Sequence, residues 1–155
     1  MRALLLTAAV LSLALTTTLA FSEEKTDSPK KADSVKLVCP VSGKPIDKSV
    51  SSEFGGGKVC FCCAKCKAKF DANSAKFVPK ANLQLAASGQ AKQVACPFSG
   101  KTLDPATTVN VAGVKVQFCC GKCKAKVAAA KTDKQIQLVF ESKAFDKAFK
   151  VGKDK

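Results

Sequence analysis

Hydrophobic and polar positions divide the chain into three textures. After Met1-Arg2, residues Ala3 to Leu15 are predominantly apolar, and Thr16-Thr17-Thr18-Leu19-Ala20 closes the run. A basic start, an apolar centre and a small closing residue predict a secretory signal peptide over residues 1–20, cleaved after Ala20. The alternative, an uncleaved membrane anchor, needs about 20 apolar residues, and this run is shorter. Residues 21–34 are polar and charged and include Pro29. They are too poor in apolar side chains to pack and predict a short disordered tether. From Val35 onward, short alternating stretches and turn residues take over, and about 120 residues remain for folding.

Val35–Val38 and Lys92–Ala95 read as short strands. Each leads into a turn, Cys39-Pro40-Val41-Ser42-Gly43-Lys44 or Cys96-Pro97-Phe98-Ser99-Gly100-Lys101. Proline fixes one backbone angle and glycine permits a positive one, so the chain curls tightly after each cysteine. A variable stretch follows, ending at Gly55-Gly56-Gly57 or Ala112-Gly113, which reads as a hairpin turn. Lys58–Cys62 and Val114–Cys119 then alternate as strands. A helix is expected from each pair of vicinal cysteines, through Ala68 in one case and Ala130 in the other. Ser74–Val78 and Lys80–Ala87 read as short helices around Pro79. Gln135–Phe140 alternates like a strand. Glu141–Lys150 reads as a helix whose Ala144, Phe145, Ala148 and Phe149 share a core-facing side.

The pattern is internally repeated. Cys39–Phe70 aligns with Cys96–Val127 at an offset of 57 without a gap, and 17 of 32 positions are identical. A fixed-period self-match of this kind marks duplicated structural units. The expected fold class is α+β: two tandem small ββα modules, over residues 35–88 and 89–150, packed together. The boundary falls at Ser88-Gly89, and residues 151–155 form a disordered tail.

Composition narrows the function. The net charge is +14 and histidine, tyrosine and tryptophan are absent. Without these residues, and without carboxylates paired at a useful spacing, catalysis is not expected. Asp47 and Asp104 recur beside a turn, where a backbone hydrogen bond is the expected role. A basic chain can suit nucleic acid, but here the lysines are dispersed and the single arginine, Arg2, lies in the signal segment. Nucleic acid is therefore not an expected partner, and no stable membrane insertion follows signal cleavage. Four thiolates around a divalent ion carry a net charge of −2, so thiolate sites would offset part of the positive excess. Lys65, Lys67, Lys69, Lys122, Lys124 and Lys126 stand where they would favour thiolate.

The chain has nine cysteines. In a periplasmic or secreted protein, cysteines first suggest disulfides. A disulfide-stapled interaction scaffold is therefore one reading, though staples usually join distant segments and these cysteines cluster. A thiol–disulfide redox protein is another, since Cys63–Cys66 and Cys120–Cys123 are Cys-x-x-Cys pairs at expected helix starts. The leading expectation is metal. Each module supplies one cysteine from a tight turn and others from a strand-to-helix junction, where free amides stabilise negative charge. Without histidine the site is thiolate-dominated, which favours zinc, copper(I) or another soft metal. The candidate ligands are Cys39, Cys62, Cys63 and Cys66 for one ion, and Cys96, Cys119, Cys120 and Cys123 for the other. Adjacent cysteines on one ion strain the backbone, so three sulfurs with an open position is the alternative to four. Cys60 has no counterpart, Gln117 replacing it. It is a core thiol, an alternative ligand or an intermolecular disulfide partner.

The spacings Cys39-x22-Cys62-x3-Cys66 and Cys96-x22-Cys119-x3-Cys123 resemble the pattern of the TRASH domain and the overlapping YHS domain. The latter also has a Cys-Pro-x-x-Gly start and a Phe-Cys-x-x-x-Cys core. The resemblance covers about 32 residues of each module and occurs twice in phase. It implies a treble-clef-like zinc-finger fold and metal binding in heavy-metal sensing, trafficking or resistance, with a metal transporter or another exported metalloprotein as partner. The sequence departs from a full zinc knuckle at Ser42 and Ser99, which stand where a second turn cysteine would be.

Overall fold

The computed structural model describes residues 35–152. The expected signal peptide and tether, and the last three residues of the expected tail, lie outside the described residues.

The cysteine turn opens each module. Cys39 N–H donates to the Lys44 carbonyl and Gly43 N–H to the Cys39 carbonyl, both at 2.8 Å. The second turn repeats this with Cys96, Lys101 and Gly100, at 3.0 and 2.8 Å. Closing so tight a loop requires positive φ, and Gly43 (72°) and Gly100 (69°) supply it. Of the strands expected on the N-terminal side of the turns, the second forms in part, Lys92 and Gln93 lying in a strand over Ala91–Gln93, and the first does not. Val38 makes only an isolated bridge to Pro45.

The first hairpin is instead built from β1 (Asp47–Phe54), inside the variable stretch, and β2 (Gly57–Phe61). Its apolar content is low because one face is solvated, which is why it did not stand out as a strand. Helix α1 (Ala64–Ala72) follows, then a 3-10 turn over Ser74–Phe77 and α2 (Val78–Ala87). Pro79 lies in the first turn of α2, where its missing N–H costs nothing, so the two helical segments expected around it meet just before it, between Phe77 and Val78. A short β3 (Ala91–Gln93) leads into the second copy: β4 (Asp104–Val111), β5 (Val114–Phe118), α3 (Gly121–Ala128) and α4 (Thr132–Phe140). Then come α5 (Ser142–Ala148) and β6 (Phe149–Val151), so Val151 belongs to a strand rather than to a tail.

Two similar modules result, each an antiparallel hairpin followed by a cysteine-led helix. The hairpins share even their irregularity. Asp47 pairs with Phe61 and Asp104 with Phe118, and each ladder then shifts register. The recurring aspartates hold these bulges: Asp47 Oδ1 accepts from Ser49 N–H at 2.9 Å, and Asp104 Oδ1 from Ala106 N–H at 3.0 Å.

The segment Gln135–Phe140, expected as a strand, is part of helix α4. Ile136, Val139 and Phe140 are its buried residues, a spacing of i, i+3, i+4 that makes one helical face. That face packs on α2, and the buried Asn82 side chain donates to the Phe140 carbonyl at 2.9 Å. β3 and β6 pair antiparallel, Ala91 opposite Val151 and Gln93 opposite Phe149. The helix expected over Glu141–Lys150 stops at Ala148, where the pairing of β6 with β3 takes over. Phe145 and Phe149 still meet in the core as expected, stacked at 4.9 Å, but from a helix and a strand.

Two glutamines complete the strand edges nearest the cysteines. The Gln84 side chain accepts from Cys60 N–H at 2.6 Å and donates to the Cys60 and Val38 carbonyls, both at 2.9 Å. Gln93 does the same for Gln117 (2.9 and 2.7 Å) and the Ala95 carbonyl (3.1 Å). Each primary amide thus takes the part of a missing neighbouring strand. Among the described residues, no helix is long and apolar enough to cross a membrane.

Candidate metal centres

Core packing aims the cysteines. Val59 and Phe61 bury one face of β2, and Phe61 packs on Phe70 of α1 at 5.1 Å between ring centres. This pins the end of β2 against the start of α1, with Cys62 and Cys63 between them. In the second copy Phe118 is buried in the same way and stacks on Phe98 of the turn at 5.9 Å.

The sulfurs of Cys39, Cys62 and Cys66 all lie within 4.8 Å of one another, as do those of Cys96, Cys119 and Cys123. Two cysteine clusters are therefore positioned to bind a metal. Cys62 and Cys66 Sγ are 3.5 Å apart, and Cys119 and Cys123 Sγ 3.8 Å. Sulfurs bound about 2.3 Å from a tetrahedral ion stand about 3.8 Å from each other, so both clusters are spaced for coordination with little rearrangement.

The middle cysteine of each expected four stands beside its cluster. Cys63 and Cys120 occupy the N-cap positions of α1 and α3 in extended conformation. Their Sγ atoms lie 3.8 Å from those of Cys62 and Cys119. Cys63 is exposed and Cys120 half-buried, while Cys39 and Cys96 are fully buried at the bottom of the clusters. Cys60 takes part in neither group; its half-buried side chain belongs to β2.

The positions that break the zinc-knuckle spacing have a role of their own. Ser42 Oγ is 3.2 Å from Cys62 Sγ and Ser99 Oγ is 3.1 Å from Cys119 Sγ. The only sequence signal for them was serine at the same place in both copies, read there as the loss of a ligand. In the fold, each hydroxyl lies against its cluster, within hydrogen-bond reach of the strand-end sulfur.

The electrostatics divide the thiols in two. Burial alone would raise the Cys39 thiol, but the Ser42 hydroxyl and the amides of Cys62, Ser42 and Val41 outweigh it and bring the pKa to about 7. At Cys96, burial is outweighed by the Ser99 amide and hydroxyl and the amides of Cys119 and Phe98, giving about 6. Cys66 is pushed up to about 12 by its hydrogen bond to Cys62 and by burial. Cys123 also reaches about 12, through burial first and then its bonds to Cys119 and Cys120. The amides of Cys66 and Cys123 lower the thiols of Cys63 and Cys120, without forming a full capping hydrogen bond. The groups that lower these thiols are backbone amides, joined by serine hydroxyls at Cys39 and Cys96 and by neighbouring thiols at Cys63 and Cys120, rather than lysine ammonium groups. Lys67, one of the lysines expected to favour thiolate, is instead engaged with Asp71 at 2.6 Å. Each cluster thus pairs a ready thiolate with a thiol that keeps its proton until a cation displaces it.

Comparison of the chain with models of protein families, with curated proteins and with solved structures finds no match in any of the three.

Proposed function

We propose that this is an exported, non-catalytic metal-binding protein that holds one soft metal ion in each module. Zinc is the first candidate, with copper(I) or another soft heavy metal as the alternative. One observation carries the reading: three sulfurs from a turn and a helix start converge within 4.8 Å, and the arrangement is built twice. Side chains that served only the core would have no need of a turn cysteine, a strand-end cysteine and a helix cysteine at one point. The all-sulfur donor set supports a soft ion over calcium or magnesium. The TRASH/YHS-like spacing supports a role in heavy-metal trafficking, sensing or resistance. The partner is then a metal transporter or another exported metalloprotein that gives or takes the ion. The N-terminal signal pattern supports a periplasmic or secreted location.

Elemental analysis with free-thiol counting, on protein recovered from its native compartment, tests this. Two metal ions per chain and unoxidised sulfurs are expected. Absence of metal together with cross-linked cysteines would replace this reading with the stapled scaffold.

A further inference from the structure

The two clusters are copies in sequence but not in surroundings. At the second, Phe98 stands where the first has Val41. The Phe98 ring stacks on Phe118, and Lys126 Nζ lies over it at 5.7 Å from its centre. From α5, Lys147 reaches across the turn and donates to the Phe98 carbonyl at 3.2 Å. Its stem lies over Gly100, where an added Cβ would come within 3.4 Å of Lys147 Cγ. The second turn therefore carries a lid of one aromatic ring and two lysine side chains.

Among the described residues, the first turn has no such cover. A Cβ at Gly43 would meet nothing within 4 Å. A cavity of about 210 Å³ opens beside it, lined in part by Leu37, Cys39, Pro40, Gly43 and Leu83. Cys63 is exposed where Cys120 is half-buried. The charges differ too. Lys67 is neutralised by Asp71 at 2.6 Å, whereas Ala128 stands at the position equivalent to Asp71, so no carboxylate faces Lys124 from there.

A divalent ion held by three thiolates is an anionic centre. Nearby lysines stabilise it, and a lid hinders the approach of an incoming ligand. The lid of Phe98, Lys126 and Lys147 slows release at the second centre, and the described residues place no counterpart over the first turn. Resting on the metal-binding reading above, we infer that the two centres are kinetically unequal: the Cys39–Cys62–Cys66 centre exchanges its ion through the exposed Cys63, and the Cys96–Cys119–Cys123 centre retains its own. The step is ligand substitution without redox change. Cys63 sulfur forms a bond to the ion as one cluster sulfur lets go, and an acceptor of the thiolate or chelator class then displaces the protein sulfurs bond for bond. Each cysteine released takes up a proton, and each acceptor group gives one up.

The test is rapid mixing of the zinc-loaded protein with excess chromogenic pyridylazo chelator, after the bound zinc has been counted. Two release phases of equal amplitude are expected, separated by about tenfold or more, the scale on which outer-shell groups alter metal sites. Cys63→Ser should slow the fast phase. A Cys63 that merely held the ion would instead speed release when lost, and that outcome overturns the exchange role. Lys147→Met, which keeps the stem and removes the charge, should speed the slow phase and leave the fast one alone. A single release rate for both ions, or a slow phase untouched by Lys147→Met, overturns the inequality while leaving metal binding standing. A protein that takes up no zinc before mixing overturns the proposed function itself.

Discussion

The Ser42 hydroxyl lies 3.2 Å from the Cys62 sulfur, at the turn position where a zinc knuckle would carry its second cysteine. It also lowers the Cys39 thiol and opposes the upward push on Cys66, so one small side chain favours negative charge on two sulfurs. Ser42→Ala and Ser99→Ala should each weaken metal binding at their own centre by about tenfold, in the range seen for outer-shell partners. Ser42→Cys should strengthen it by completing a four-sulfur set. Competition against a chelator of known affinity reads both effects, and equal affinities for the serine and alanine proteins would show the hydroxyl to be a bystander.

The thiols should titrate in separated steps. In metal-free, reduced protein, the ultraviolet absorbance of thiolate should rise first near pH 6 to 7 as Cys96 and Cys39 ionise, while Cys123 and Cys66 hold out to about 12. The consequences for stability have opposite signs. The lowered thiols add stability as pH rises from about 6–7 to their ordinary value of 9.0, and that contribution is lost as pH falls through the same window. The raised thiols contribute below 9.0, and their contribution is lost as pH climbs toward about 12. The cysteine-dependent part of the melting temperature of the metal-free protein should therefore peak near pH 9. Comparison with Cys39→Ser and Cys66→Ser isolates each limb.

Metal removal should be felt by the whole fold. Thiolate sites of the zinc-finger kind contribute about 10–16 kcal/mol of apparent binding free energy, comparable to the entire stability of a domain of this size. In excess EDTA, the melting temperature read by circular dichroism should fall far below that of the metal-loaded protein. An unchanged spectrum and melting point, with disulfides in the mass spectrum, would favour the stapled scaffold.

The two glutamine side chains should matter more than their polarity suggests. Gln84→Ala leaves the Cys60 amide and the Cys60 and Val38 carbonyls without the partner they have in the fold. Gln93→Ala does the same at Gln117 and Ala95. A buried group left unsatisfied costs about 1–3 kcal/mol, so each change should lower the denaturation free energy by at least that much. A loss indistinguishable from zero in denaturant titrations would mean that water replaces the amide.

What was legible in the sequence was what repeats or is local. The 57-residue offset announced two modules, and the turn, strand-end and helix cysteines marked the six sulfurs that converge. Glycines at Gly55-Gly56 and Gly113 marked the hairpin turns, where positive φ is needed. The failures share one cause, that a segment's pairing or packing partner, and not its own composition, decided the outcome. Gln135–Phe140 satisfies a period of two over Gln-Ile-Gln-Leu, yet Ile136, Val139 and Phe140 also satisfy a helical period, and the waiting face of α2 selects the helix. Val35–Val38 has strand composition but only a bridge to Pro45. The polar Asp47–Phe54 becomes a strand because β2 gives it a ladder. Gln84 and Gln93 are not equivalent in the repeat, though the carbonyls they serve are, so no alignment of the two copies would have found them.

The pairing of β3 with β6 has an implication for how the chain holds its two ions. The strand between the modules is bonded to the last strand described, Gln93 lying opposite Phe149. The same Gln93 reaches β5 through its side chain and the Gln117 backbone, one residue before the Phe118 that precedes Cys119. The copies are therefore not beads on a string that a protease could part into two working halves. A cut at the seam, or a stop codon after Ala148, would free β3, loosen the strand that aims Cys119, and disarm the second centre without touching one of its sulfurs.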